Sequence, residues 1–269
     1  MLRQLRQPRL AEIVAASLRD DILTGKLKEG DSLPRQESLF TEFRVSLPAV
    51  REAMRILETE GLISVRRGNV GGAIVHLPTA ERTAQMISMV LQTRAATPDD
   101  VSGALLRLEP ICAGMCAERE DRATEVVPAL RDAIESQQAE FDDAARYNLN
   151  ARRFHETLVE RCGSETMIVV IGALETIWSA HEVSVWDEAA AADASENPQS
   201  PMALRSRRAA LRDHEKLLAA IEAGNRERAV TLATAHLTAT RSSTLASSQH
   251  ETINANLVGG IDLRGQRGR

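Results

Sequence analysis

Aromatic side chains are scarce: two Trp, one Tyr and four Phe make up 3% of 269 residues. Strands of sandwiches and barrels draw on aromatic and β-branched residues, so this shortage, with abundant Ala and Leu, favours packed helices. Cysteine is rarer still. Cys112, Cys116 and Cys162 form no CxxC pair, and three thiols cannot make a disulfide framework. They are expected to be small buried hydrophobes in a reducing compartment. No apolar run approaches the roughly 18 residues of a membrane span, and the opening MLRQLRQPRL has no apolar stretch behind its basic residues. No membrane partner and a cytoplasmic location are expected. Neither charge sign dominates: 33 Lys+Arg stand against 38 Asp+Glu, and 43% of residues are hydrophobic. That balance excludes disordered and collagen-like classes, and the length suits two domains.

What is present is unevenly placed. Residues 1–80 carry 12 Lys+Arg against 10 Asp+Glu, leaving a net negative remainder downstream, as expected of a nucleic-acid-binding head on an acidic body. A first helix is predicted from about Pro8 to Gly25, with Leu10, Val14, Leu18 and Ile22 spaced four apart. Pro34 is placed in the first turn of a second helix reaching about Phe43. Ser46 can cap a third helix that takes Pro48 in its first turn, buries Val50, Ala53, Met54 and Leu57, and ends near Gly61. Two β-prone runs, Leu62 to Val65 and Ala73 to Leu77, flank a basic glycine-rich tip. Three helices and a hairpin spell a winged helix-turn-helix.

In such a module the helix after the turn enters the major groove while the hairpin tip touches the backbone or minor groove. Arg51 and Arg55 lie four apart on the third helix, away from its apolar stripe, and both are positioned to face DNA. Arg35 and Gln36 open the second helix, whose free N–H groups suit a phosphate. Ser46 and Leu47 begin the third helix, and Arg67, Gly68 and Asn69 form the tip, where glycine permits close backbone approach. The bland alternative is a solvated basic helix face.

The run ILTGKLKEGDSLPRQESLFTEFRVSLPAVREAMRILETEGLISVRRG resembles the DNA-binding domain of GntR-type bacterial transcription regulators, over about residues 9–78. Gly25 to Gly30, Leu33-Pro34, Val45-Ser46 and Val50 through Leu62 carry the likeness. It implies that Arg51 contacts DNA and that the wing around Gly68 inserts near the minor groove. Glu37 and Leu47 stand where that family commonly has arginine; Arg35 substitutes for the first, and the operator sequence is expected to differ accordingly.

Beyond Pro78 the pattern is helical, with helices predicted at 79–93, 98–121, 123–145, 146–162, 165–188, 202–223 and 226–247, and a kink at Pro110. The fold class expected is therefore mainly α: a winged head over 1–78, a linker helix over 79–97, an antiparallel helical bundle for effector binding and dimerisation over 98–248, and a flexible tail over 249–269. Within the bundle three histidines stand out. His214 lies ten residues before Gly224 and His236 eleven after Asn225, so at about 1.5 Å per residue both sit about 15–17 Å from one helical hairpin turn. His155 shares a stripe with Ala151, Leu158 and Cys162. Three inward imidazoles need partners: either one shared divalent metal, zinc first, or separate hydrogen bonds in the core. His181, near Trp178, has no partner by spacing, and His76 lies in the wing strand.

Residues 98–245 resemble the FCD ligand-binding domain of the FadR subgroup of the same family. The likeness rests on Leu108-Glu109-Pro110, Phe154-His155, Asp213-His214, Ala220-Ile221, Gly224-Asn225 and Ala229 through His236-Leu237. In metal-binding members an acidic residue four before the first histidine joins three histidines; here that position is Ala151, leaving His155, His214 and His236 with water, effector or a side chain such as Asn150. An arginine often found four before the Glu-Pro pair is Leu105 here, with Arg107 nearby. The resemblance implies a homodimer that grips a palindromic double-stranded operator and binds a small carboxylate near the metal, helped by Arg107, Asn150 or Arg152. Two other readings stay open: a metal-free DNA-binding dimer with a structural bundle, and a metal-dependent hydrolase, which would need a carboxylate base on the same inner stripes, whereas Glu156 and Asp213 adjoin ligand candidates and point about 100° away from them.

Overall fold

The computed structural model describes residues 9–65, 72–192, 201–244 and 252–258, and the chain divides into two compact units, Met1–Thr79 and Ala80–Arg269. In the first unit, α1 (Leu10–Leu23) buries Val14, Leu18 and Ile22, whereas Leu10 is exposed because the core begins one turn later. Helix α2 (Gln36–Phe43) starts after an extended Arg35 with ψ 153°, so Pro34 precedes the helix rather than opening it. Helix α3 (Leu47–Glu60) starts as the sequence dictates: the Ala49 N–H donates to Ser46 Oγ at 3.4 Å and Pro48 sits in the first turn. It ends at Gly61, whose φ of 74° is the left-handed geometry glycine adopts without strain. Val50, Ala53, Met54 and Leu57 pack on α1.

Strands β1 (Ile63–Val65) and β2 (Ala73–Val75) pair antiparallel, with Ile63 opposite Val75. The loop before α2 braces the other edge of β2: Gly30 N–H donates to Val75 O at 3.0 Å and Leu33 N–H to Ala73 O at 2.8 Å. The wing therefore rises from a strand held on both sides. Its tip, with Arg67, Gly68 and Asn69, lies outside the described residues.

The second unit is helical throughout its described residues: α4 (Ala80–Thr93), α5 (Pro98–Glu118), α6 (Arg122–Glu125), α7 (Val127–Ala139), α8 (Ala144–Glu160), α9 (Glu165–Ala192), α10 (Pro201–Glu222), α11 (Arg226–Thr244) and α12 (Ala255–Val258). Helix α5 runs through Pro110 without ending. The single helix expected over 123–145 is instead two. Pro128 occupies the first turn of α7, and Asp143 caps α8 by accepting the Arg146 N–H at 3.0 Å. Helix α4 is more than a linker: Ala84 and Ser88 are buried, and Ala84 clusters with Ala173 and Ile177 of α9.

The tail expected to be flexible from residue 249 is anchored over 252–258. Ile253 is buried and its N–H donates to Ala96 O at 2.8 Å. His181 is a second anchor, donating from Nδ1 to Ile177 O at 2.8 Å and accepting the Asn254 N–H at Nε2 at 2.9 Å, and Gln92 Oε1 a third, accepting the Ala255 N–H at 3.0 Å. Cys112, Cys116 and Cys162 are all buried, and burial pushes the Cys116 thiol up to about 12. Helices α5 and α11 approach closely at Gly114, where an added Cβ would stand 2.9 Å from Val230 Cγ2. Gly114→Ala is therefore expected to lower the melting temperature by about 2–4 °C, overpacking outweighing the helix-propensity gain; an unchanged or raised melt contradicts this.

Candidate functional site

On the head, α3 carries Arg51 and Arg55 on the side away from its buried stripe, and both are exposed. Arg51 Nε donates to Gln36 Oε1 at 3.4 Å, which ties the start of α2 to the face of α3. Arg55 pairs with Glu52 at 3.5 Å, one turn back on the same helix. Arg35 is an exposed N-cap, Leu47 is half-buried, and the Ser46 hydroxyl already serves as a cap. Arg44 closes α2 in the left-handed conformation, φ 52°, and adds an exposed cation to the turn that no local motif marks.

In the helical unit, His155 of α8, His214 of α10 and His236 of α11 meet, each with a ring nitrogen within 4.8 Å of the others. Counting from the hairpin turn places two of them level, and in the structure His214 Nε2 and His236 Nε2 are 3.1 Å apart. At that distance two lone pairs collide unless a proton or a cation lies between them. The far side of each ring is also engaged. His155 Nδ1–H donates to buried Glu109, His214 Nδ1–H donates to Gln137 Oε1 at 2.8 Å, and His236 Nδ1 stands 3.8 Å from Asp213 Oδ2. Phe154 stacks on His214 with centroids 4.0 Å apart.

Electrostatics favours neutral rings at His214 and His236. Burial, then the neighbouring His155 and His236, holds His214 well below the usual imidazole value. Burial and His155 bring His236 down to about 4, against the opposing pull of Asp213. Imidazoles whose Nδ1 side is engaged and whose remaining nitrogens converge are the donor set that zinc and related divalent ions take. Two nitrogens sharing a tetrahedral zinc ion lie about 3.3 Å apart, which the observed pair nearly matches. These residues fit such an ion.

The histidines open on a cavity of about 340 Å³. Ala151 lines it, so the position where an acidic ligand would stand presents only a methyl group. Arg152 lines it too. Asn150 does not: its amide donates to Ser136 O at 3.2 Å, on the opposite side of α8. Arg107 is exposed and folds back to donate to Gly103 O on its own helix, while Leu105 and Leu106 face the cavity. Both corrections have one cause, since neighbours in sequence point about 100° apart on a helix. The lining residues that went unassigned in the sequence include Glu109, Tyr147, Glu175 and Arg207. Glu109 was within reach, standing in the Leu-Glu-Pro run, as were Tyr147, four before Ala151, and Arg207, seven before His214, on the inward stripes of their helices; Glu175 comes from α9, whose facing could not be fixed by periodicity.

Glu175 is the most strained electrostatically. Burial, then the charges of Glu109, Glu156 and Glu160, push its carboxyl up to about 9 from an ordinary 4.5. It holds a proton in the fold that the unfolded chain releases at neutral pH. Its contribution to stability is therefore complete below about 4.5 and is lost as pH rises towards 9. Glu175→Gln, neutral at all pH values, is expected to exceed the parent by about 2 kcal/mol at pH 8, a gain limited by the partial exposure of the residue, and to match it near pH 5. Thermal melts across that range check this; parallel curves contradict it.

A winged helix-turn-helix with an arginine-bearing third helix, followed by a helical domain with a histidine-lined cavity, defines a DNA-binding transcription regulator. Comparison with known proteins agrees. Residues 10–71 match the family described as bacterial regulatory proteins, gntR family, and residues 100–239 match the FCD domain. The chain belongs to the GntR family of bacterial transcription regulators and carries an FCD domain. The HTH-type transcriptional repressor NanR of Klebsiella aerogenes is 28% identical over 173 residues, 64% of this chain and 66% of that protein. NanR of Salmonella bongori is 27% identical over 173 residues, 64% of this chain and 65% of that protein. The matched stretch thus spans just under two thirds of the length of these curated relatives. The solved Streptococcus agalactiae GntR shares the fold, with a TM-score of 0.64 at 20% identity, covering 87% of this chain and 99% of that one. Membership in a family of regulators sets aside the hydrolase reading. No helix among the described residues is long and apolar enough to cross a membrane.

Proposed function

We propose that this chain is a homodimeric repressor whose grip on a palindromic operator is released by a small carboxylate bound in the helical domain beside a divalent ion, zinc first. The observation that carries the reading is the convergence of His155, His214 and His236 on one cavity wall. When bound, the ion supplies a Lewis-acidic position for a carboxylate oxygen. The chain's own groups do the rest. Glu109 and Gln137 orient two of the rings, Phe154 holds His214 from behind, and Arg152 and Arg207 line the cavity as counter-charges for an acid. Relatives named as transcriptional repressors favour repression over activation. A carboxylate that binds better to the state with lower operator affinity shifts the population towards it.

Ala151 favours a second reading, a metal-free dimer in which the histidines only bond one another. Metal analysis of untagged protein, with thermal-shift screening of small carboxylic acids with and without chelator, separates the two. About one divalent ion per chain and stabilisation that chelator abolishes are expected. Metal-free protein, or no response to any carboxylate, contradicts the proposal.

A further inference from the structure

Besides the arginines, the cavity is lined by two carboxyl groups, Glu109, which is paired with His155, and Glu175. Among the described residues no group hydrogen-bonds Glu175 Oε1, although that atom is fully covered. The charges that act on Glu175 are those of Glu109, Glu156 and Glu160, all of its own sign. An unpaired carboxyl beside a cavity is costly, and the cost falls when a cationic donor arrives. Trp178 lines the same wall one turn along α9, and the face of an indole attracts cations. The cavity is thus polarised, with Glu109 of α5 and Glu175 of α9 on some of its walls and Arg152 of α8 and Arg207 of α10 on others.

We infer that the ligand of this cavity is a zwitterion, a small acid that carries an ammonium group as well as its carboxylate, with Glu175 and Trp178 receiving the ammonium end. The terminal torsion of a glutamate is soft, so a small rotation brings Oε1 into the cavity to accept the ammonium hydrogen bond. The proton that Glu175 holds in the empty cavity leaves to solvent as the ammonium arrives, whereas a second carboxylate at that end would meet the charges of Glu109, Glu156 and Glu160, so dicarboxylates are disfavoured. The volume, about 340 Å³, lies at the small end of ligand cavities and suits an acid of a few carbons. This inference rests on the effector reading above and narrows its chemical class.

The test uses the zinc-loaded full chain and isothermal titration. Its probes are the ω-amino acids of two to six carbons, glycine through 6-aminohexanoate, each set against the hydroxy acid and the dicarboxylate of equal length. At the length that fits, the amino acid is expected to bind about tenfold more tightly than the hydroxy acid, and the dicarboxylate most weakly. Glu175→Gln is expected to erase the amino preference to within about twofold while hydroxy-acid binding persists, showing an intact cavity. Equal binding of amino and hydroxy acids at every length overturns the inference, as does a preference that survives in E175Q; both leave the effector reading standing. No binding by any of these acids, nor by any in the wider screen, sinks that reading and this inference together.

Discussion

Replacing Arg51 with alanine is expected to weaken operator binding about ten- to a hundredfold, the cost of losing one bidentate arginine contact to a base pair. The expectation follows from where the residue stands. Val50, Ala53, Met54 and Leu57 turn one face of α3 into the core, which leaves Arg51 outward, steadied by a 3.4 Å contact to the neutral Gln36 amide. That contact is long and uncharged, so exchanging it for a base edge costs little. Arg55 is held by Glu52 and is expected to lose less, in the range of a single phosphate contact. Because Arg51 is exposed, R51A should melt with the parent. Fluorescence anisotropy at fixed salt reads the effect, and an R51A protein that binds as tightly as the parent contradicts it.

The second large effect concerns His214, whose ring is buried between Gln137, Phe154 and His236. If the three imidazoles hold zinc, saturating metal at about a thousandfold over its dissociation constant stabilises the fold by about 4 kcal/mol. For a domain of this size that is a rise of about 8–16 °C in melting temperature. His214→Ala is expected to abolish the rise. The apo variant also loses some packing against Phe154, so the decisive quantity is the shift between metal-loaded and chelated protein, measured for each separately. A zinc-induced shift that persists in H214A places the ion elsewhere.

How far the sequence disclosed these features depended on local rules. Ser46, Pro48 and Gly61 bracket α3 because caps, first-turn proline and left-handed glycine are local preferences, and the structure follows them. The meeting of His214 and His236 was legible for the same kind of reason, since a tight helical hairpin fixes the heights of residues on either side of it. His155 was legible as an inward residue but its destination was not, because nothing local ties α8 to α10. Asn150 and Arg107 were misplaced on the same ground: one step along a helix turns a side chain away from the cavity. Glu175 was invisible, lying in a long, evenly apolar α9 with no polar stripe to betray its facing. The anchoring of residues 252–258 depended on His181, whose acceptor role only the assembled fold supplies.

The most direct test of control by the cavity is the affinity of the full chain for a labelled operator duplex, titrated with an acid that stabilises the protein. Three samples suffice: zinc-loaded, chelated, and H214A. Operator affinity is expected to fall in the first and hold steady in the other two. An acid that binds yet leaves the first sample's affinity unchanged, or lowers all three alike, contradicts control through the histidine site.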